Sequence, residues 1–224
     1  RPIVSEFNRD IVSYLPESIA NTTFSKYTSG GAKNEGYVKL TEAATLIHRH
    51  ITTSKSTTIS YLYIPDVDTT SHQFGTNSPE VKQTVNEIEQ LVLQLKEILP
   101  SRSRLILTAD HGLLDFTDDQ SFQIDSNDPI ISTLTNEPWG TSRVRNFDVL
   151  PGKTIDFETI FLERYERFFH LLTAEDAEKM ELYGPGKLAP VTRQRIGSHV
   201  AISKGAWILE YIRPSSENSH QKLS

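Results

Sequence analysis

A capped amphipathic helix between two short apolar runs constrains the fold of this chain more than any other feature. Ser78 and Pro79 are typical of a helix start, and Pro100 marks the end of the same helix. Between them, apolar residues recur at alternating spacings of four and three: Val81, Val85, Ile88, Val92, Leu95 and Leu99. The runs on either side, 58–64 and 104–109, have the composition of buried strands.

Each of these two apolar runs is followed by an aspartate and a histidine. Asp68 and His72, the first pair, come after the first run, and Asp110 and His111, the second pair, come after the second. A strand, a helix and a strand in this order predict a βαβ unit, whose strands are parallel. Parallel strands end at the same edge of a sheet, where open α/β sheets bind ligands. We therefore expect both pairs at one edge.

The residue types in the two pairs favour a metal centre. The spacing of four places Asp68 and His72 on one side of a helical turn. Carboxylate and imidazole ligands suit Zn²⁺, with Mn²⁺ or Fe as alternatives, and two neighbouring ions are a recurring device in phosphoryl transfer. In the alternative, Asp68 forms a turn, Asp110 is a capping residue and His111 belongs to the core. The absence of cysteine excludes disulfides, thiolate metal sites and cysteine nucleophiles.

Three other histidines are less suited to metal binding. His48 and His50 lie two residues apart in a helix predicted from Thr41 to about Ile51, so they face different sides, and we expect both to be solvated. His170 is predicted to end a helix that begins at Asp156, where it would complement the helix dipole.

The second half of the chain has a different pattern of elements. Residues 116–150 predict short antiparallel strands or loops, and Thr173 predicts the cap of a short helix. Two further apolar runs, 200–203 and 206–212, flank Lys204-Gly205 and predict a hairpin.

Composition excludes several classes of partner. The net charge is −6 and positive charges are scattered, so we expect no nucleic-acid polymer as a ligand. No apolar run approaches the roughly 20 residues of a transmembrane helix, so we predict no membrane segment. The first residues lack the layout of a secretory signal, and we expect a cytoplasmic location.

Three motifs in fixed order carry a family resemblance. They are the stretch from Pro65 to Gly75 (PDVDTTSHQFG), the Ser78-Pro-Glu-Val sequence and the stretch from Thr108 to Gly112 (TADHG). With these motifs the chain resembles the type I phosphodiesterase/nucleotide pyrophosphatase family of the alkaline phosphatase superfamily, from about residue 11 to the end. Weaker similarities lie at 183–186 and 195–197.

The resemblance implies a fold and a class of reaction. The fold is α/β, an alkaline-phosphatase-like sheet flanked by helices. We expect 1–119 and 188–224 to form its incomplete core, and 120–187 to form an inserted α+β cap subdomain. The implied activity is hydrolysis of phosphate esters, with a small phosphate ester or a nucleotide as substrate. The implied cofactors are two divalent metal ions, Zn²⁺ or alternatively Mn²⁺.

The resemblance also implies two sets of ligands. The first pair would hold one ion together with a later histidine, for which we favour His220 over His199, and a ligand beyond Ser224 is a further alternative. The second pair would hold the other ion together with an early aspartate and a Thr or Ser nucleophile, which we expect before residue 1.

Two consequences and two alternatives follow for this chain. We expect it to be inactive or strongly impaired in isolation, and to self-associate through its incomplete sheet. The alternatives are a non-catalytic metal-binding or interaction module, and a phosphomutase or sulfatase-like member of the same superfamily.

Overall fold

The computed structural model of the chain describes residues 6–7 and 9–213, and it divides into two compact units, Arg1–Leu113 and Leu114–Ser224. The elements of the first unit are β1 (Asp10–Pro16), α1 (Glu17–Ala20), α2 (Thr23–Thr28), β2 (Lys33–Tyr37), α3 (Leu40–Thr53), β3 (Thr58–Leu62), α4 (Asp66–Phe74) and α5 (Pro79–Ile98). The elements of the second unit are β4 (Ser121–Asp125), β5 (Trp139–Gly140), β6 (Val144–Phe147), α6 (Thr154–Tyr165), β7 (Phe169–Thr173), α7 (Ala174–Lys179), α8 (Pro190–Ile196), β8 (His199–Ser203) and β9 (Ile208–Ile212), with two 3₁₀ turns at Asp118–Gln120 and Pro129–Thr133.

Three parallel strands in the order β2-β1-β3 form the sheet of the first unit. Val12 in the central strand is in register with Lys33 on one side and with Ser60 on the other. Helices α3 and α5 contribute to the buried core beside this sheet: Val12, Tyr14, Tyr37, Ala43, Ala44, Ile47, Leu91 and Leu95. Because all three strands run in one direction, their carboxyl ends form one edge of the sheet.

Local sequence signals predict helices α3 and α5 of this unit well. Helix α5 begins after Ser78, whose Oγ accepts a hydrogen bond from the Val81 N–H at 3.2 Å, and it ends before Pro100 as predicted. The helix predicted from Thr41 to about Ile51 is confirmed as α3, although it begins at Leu40 and Thr41 does not cap it, and the predicted strand at 58–64 is confirmed as β3. The side-chain cap and the proline both lie at the start of α5, so this start can be predicted from the local sequence.

The strand predicted at 104–109 is wrong. Residues 103–109 form no strand, and Leu105, Ile106 and Leu107 are 46%, 76% and 71% exposed. An apolar run becomes a strand only when a neighbouring strand accepts and donates its ladder hydrogen bonds, and the sheet of the first unit ends at β3 among the residues described. The predicted βαβ unit therefore has its first strand and its helix but not its second strand.

Within the described residues, the second unit consists of two sheets and an aromatic core. Strands in the order β5-β6-β8-β7 pair in antiparallel fashion, and β4 pairs with β9 in parallel. The prediction of short antiparallel strands within 116–150 is confirmed for β5 and β6, whereas β4, in the same range, pairs in parallel. The core is built mainly from α6 and the strands around it: Ile124, Ile130, Leu134, Phe147, Phe157, Phe161, Tyr165, Phe169, Ala201 and Leu209.

Two predictions for this unit are wrong in their pairing or length. The strands predicted around Lys204-Gly205 exist as β8 and β9, but they belong to different sheets and do not form a hairpin, because each finds a longer-range partner. The helix predicted from Asp156 to His170 ends at Tyr165, and His170 lies in β7. The chain after α6 forms strand β7 instead of a further helical turn, because β8 pairs with it.

Strands from both sides of a predicted domain boundary share one sheet. β8 lies in the segment 188–224, which the sequence assigned to the core, and it pairs with β6 and β7 of the predicted cap segment 120–187. The division into core and cap stays a prediction.

Candidate metal centre

The first Asp/His pair lies on a helix that starts at the end of β3. Helix α4 places Asp68 and His72 one turn apart, as their spacing predicts, and Asp68 Oδ1 lies 3.5 Å from His72 Nε2. A tetrahedral zinc ion with bonds of about 2.0–2.2 Å separates its oxygen and nitrogen ligands by about 3.3–3.5 Å. Both side chains are exposed. The two donor atoms therefore suit a single ion without a large rearrangement.

The start of α4 borders a small cavity at the carboxyl ends of the strands. Its volume is about 200 Å³, and residues from the ends of β1 and β2 and from α4 surround it: Pro16, Tyr37, Val38, Pro65, Asp66, Thr69 and Thr70. The Tyr37 hydroxyl donates a hydrogen bond to the Tyr63 carbonyl at 2.7 Å. Burial raises the pKa of Tyr37 to about 12, and the charge of Asp66 contributes to this rise, so the phenol stays protonated at neutral pH.

The second Asp/His pair lies in an exposed segment without regular structure. Asp110 Oδ2 is 3.6 Å from His111 Nε2, which again suits two ligands of one ion. The other ring nitrogen of His111, Nδ1, lies 3.0 Å from the Gly112 carbonyl oxygen. Because a carbonyl only accepts hydrogen bonds, this contact is a hydrogen bond when Nδ1 carries a proton. Nε2, the nitrogen beside Asp110, would then be the ring nitrogen that faces a metal ion.

The second pair is electrostatically coupled to β3. Burial raises the pKa of Tyr61, a β3 residue, and the charges of Tyr63 and Asp110 raise it further. Such an effect requires the Asp110 carboxylate to lie within electrostatic range of the strand that leads to α4. The topological argument for a shared sheet edge fails for the second pair, since residues 103–109 form no strand in the described part of the chain.

Each pair supplies two donors, which is fewer than a bound ion requires. Among the described residues, no three or more His, Asp or Glu side chains converge on a position for a metal ion. Structural and catalytic zinc sites use three or four protein ligands. The pairs therefore fit zinc as partial sites that need further ligands.

Two other histidines are buried or largely buried. His199 is buried, with Nδ1 2.9 Å from Ser198 Oγ and Nε2 3.2 Å from Glu158 Oε1, so both of its ring nitrogens are already engaged. His50 is largely buried, so the expectation that it is solvated is wrong. It lies three residues after the buried Ile47 and therefore faces the sheet.

The remaining histidines have simpler outcomes. His48 is exposed, as expected, and His170 is an exposed residue of β7. His220, the favoured third ligand of the first ion, lies outside the described residues, and its role stays a prediction.

Sequence reasoning missed strand β1, whose last residue, Pro16, lines the cavity. The segment 10–16 contains the run Ile11-Val12-Ser-Tyr14-Leu15, whose β-branched and aromatic residues favour a buried strand, and this signal could have identified β1. Tyr37 at the end of β2 had no comparable signal, since the sequence of that strand, KNEGY, is largely polar.

Comparison with known proteins identifies the family. Residues 5–220 match the family described as type I phosphodiesterase / nucleotide pyrophosphatase. This match covers nearly all of the 224 residues, so the chain belongs to that family. The resemblance inferred from the three motifs is thus confirmed.

One relative and three solved structures show how much of each longer protein this chain covers. Human ectonucleotide pyrophosphatase/phosphodiesterase family member 7 is 37% identical over 57 residues, which are 23% of this chain and 12% of that protein. The structure of human ectonucleotide pyrophosphatase/phosphodiesterase 5 has a TM-score of 0.65 at 17% identity, covering 93% of this chain and 55% of that one.

The murine protein of the same name gives a TM-score of 0.64 at 16% identity, with coverages of 96% and 56%. Its inactive variant in complex with AMP gives 0.63 at 16%, with coverages of 92% and 54%. These similarities confirm the alkaline-phosphatase-like α/β fold. The chain spans about half the length of these structures and a smaller part of the human family member 7. No helix within the described residues is both long enough and apolar enough to cross a bilayer.

Proposed function

We propose that the chain carries part of the metal centre of a phosphate-ester hydrolase, of the phosphodiesterase/nucleotide pyrophosphatase kind. The observation that carries the proposal is the convergence of donor atoms within each pair, at 3.5 Å for the first and 3.6 Å for the second, in a chain of this family. Bound Zn²⁺ or Mn²⁺ would polarise the phosphate and stabilise its developing negative charge. A nucleotide is a reasonable substrate, because a murine family relative binds AMP.

The residues have distinct parts in this proposal. Asp68 and His72 would hold one ion, with His220 as the third ligand, and Asp110 and His111 would hold the other. The contact of His111 Nδ1 with the Gly112 carbonyl would orient the ring so that Nε2 faces the ion. The cavity beside α4 would accept part of the substrate, with Tyr37 and Val38 in its wall.

Zinc affinity tests the proposal directly. We expect His72→Ala and His111→Ala each to weaken zinc binding by at least about tenfold, since even indirect partners of a metal are worth 10–100-fold. Binding is measured by competition with a chromophoric chelator. His48→Ala is the matched control, because His48 is exposed in the same unit and lies outside both pairs, and it should leave the affinity unchanged.

Two results would contradict the proposal. Zinc binding that is unaffected by both His72→Ala and His111→Ala would place any metal elsewhere. A wild-type chain with no measurable zinc binding would favour the alternative of a non-catalytic interaction module.

Catalysis by the isolated 224 residues is expected to be very slow or absent. The two pairs supply only two donors each, and a poorly coordinated ion polarises a phosphate without holding it in line for attack. Hydrolysis of bis-p-nitrophenyl phosphate with added zinc measures this, with heat-denatured protein as the background. Turnover that His111→Ala abolishes would show that the chain is competent alone, and would support the metal centre while refuting the expected inactivity.

The expected self-association stays a prediction. It would depend on the exposed apolar run Leu105–Leu107, which forms no strand in the described part of the chain. A phosphomutase or sulfatase-like activity also stays open, because the nucleophile decides between these reactions.

A further inference from the structure

An asparagine in the turn between α1 and α2 has the sequence context of a glycan acceptor. Asn21-Thr22-Thr23 matches the pattern Asn-x-Ser/Thr with x different from proline, and the pattern occurs once in the sequence. N-linked glycans are bulky and hydrophilic, so an acceptor must lie on the surface. All three residues of the tripeptide are exposed.

The conformation of this turn leaves the two essential side chains accessible. Thr22 caps α2, since its Oγ1 accepts a hydrogen bond from the Ser25 N–H at 3.2 Å and donates one to Ser25 Oγ at 3.0 Å. Asn21 ends α1 with φ −103° and ψ 7°, and its side chain is exposed. The hydroxyl engaged in the helix cap is thus the middle one, which glycan transfer does not need. The Asn21 amide and the Thr23 hydroxyl are the groups that transfer requires.

Exposed aromatic side chains near Asn21 are a second, independent argument for a glycan at this position. Phe24 and Tyr27, three and six residues after Asn21, are 75% and 66% exposed. Large aromatic side chains in water favour association with other apolar surfaces. A branched sugar chain attached three residues before Phe24 would shield this part of α2 from such contacts.

We propose that Asn21 is the acceptor of an N-linked glycan, a modification that is separate from the proposed metal centre. The co-substrate is an oligosaccharide linked to a lipid diphosphate. Asn21 Nδ2 forms a bond to C1 of the first sugar while the bond from C1 to the diphosphate oxygen breaks. The diphosphate leaves with the bonding electron pair, and Nδ2 loses one proton. Such transfer takes place in the secretory pathway, so the proposal opposes the sequence-based expectation of a cytoplasmic location.

The test is expression of the full 224-residue chain behind a secretory leader in a eukaryotic cell. Both the secreted and the retained protein are digested with a peptide N-glycosidase and analysed by gel mobility and peptide mass. We expect a glycosidase-sensitive form in which release of the glycan converts Asn21 to aspartate. Asn21→Gln and Thr23→Val should abolish this form completely.

Conservative variants separate modification from folding. Thr23→Ser keeps the hydroxyl at the required position and should retain the glycan. Thr22→Ala removes the cap of α2 but leaves the acceptor pattern intact, so it should also be modified. An unmodified Asn21 peptide in both the secreted and the retained fractions would overturn the proposal, as would a glycosidase-sensitive form that persists in Asn21→Gln.

Discussion

Replacing Phe161 with alanine is expected to lower the free energy of unfolding of the second unit by about 3–5 kcal/mol. Phe161 on α6 is fully buried, and its ring centroid lies 5.7 Å from that of Phe147, 6.0 Å from Phe157 and 5.1 Å from Tyr165. Alanine would leave a cavity among aromatic rings that cannot all move inward, and the lost contacts would add to the lost burial.

Tryptophan fluorescence during urea unfolding measures this loss of stability in the second unit, which contains Phe161. Both tryptophans of the chain, Trp139 and Trp207, belong to the second unit, so their emission reports on that unit. Ile155→Ala is the matched control, because Ile155 is an exposed residue of the same helix and its truncation should change stability by less than about 0.5 kcal/mol. A loss below about 1 kcal/mol for Phe161→Ala would contradict the assignment of Phe161 to a packed core.

The Gly197→Ala variant is expected to lose about 2–5 kcal/mol, combining a backbone and a steric cost. Gly197 has φ +70° and ψ −156°, a backbone conformation essentially restricted to glycine, which costs a residue with a Cβ about 1–3 kcal/mol. An added Cβ would also lie 2.4 Å from the Phe147 carbonyl oxygen and 2.7 Å from Cη2 of Trp139. The Phe147 carbonyl accepts the Ser198 N–H at 2.9 Å, so moving it would disturb the connection between β6 and β8.

A second glycine separates the two costs. Gly152 has φ +82° but open space around the position of a Cβ, so Gly152→Ala should lose only the backbone part, about 1–2 kcal/mol. The same fluorescence measurement applies to both variants, and Trp139 is itself next to Gly197. Equal losses for Gly197→Ala and Gly152→Ala would show that the close approach of Trp139 and Phe147 carries no energetic weight.

Helix starts could be predicted from sequence because their determinants are local. Ser78 and Pro79 begin α5, and Thr173 caps α7 by accepting a hydrogen bond from the Asp176 N–H at 3.1 Å. In both cases the hydroxyl side chain and the backbone that it satisfies lie within three residues. No distant part of the chain is needed to define these ends.

Strand pairing could not be predicted because its determinants are distant in sequence. The apolar run at 104–109 has the composition of a strand but no ladder partner in the described part of the chain, whereas the polar sequence Lys33–Tyr37 becomes β2 beside β1. Likewise, β8 and β9 are neighbours in sequence yet pair with strands far away. Composition indicates that a segment can be a strand, and only the rest of the fold decides its partner.

In the candidate site, too, local features could be predicted from the sequence and contacts made by folding could not. The spacing of Asp68 and His72 predicts a shared helical face, and α4 confirms it. The ring orientation of His111 depends on the Gly112 carbonyl, and the hydrogen bonds of His199 depend on Ser198 and Glu158, one of them on another element. Such contacts exist only after folding, so no spacing rule could supply them.

A crystal structure of the zinc-loaded chain, with anomalous data collected at the zinc absorption edge, tests the central claim most directly. The account predicts two zinc peaks, one between Asp68 and His72 and one between Asp110 and His111, close enough to share one phosphate group. Peaks confined to other side chains, or two ions too far apart to contact the same phosphate, would contradict it.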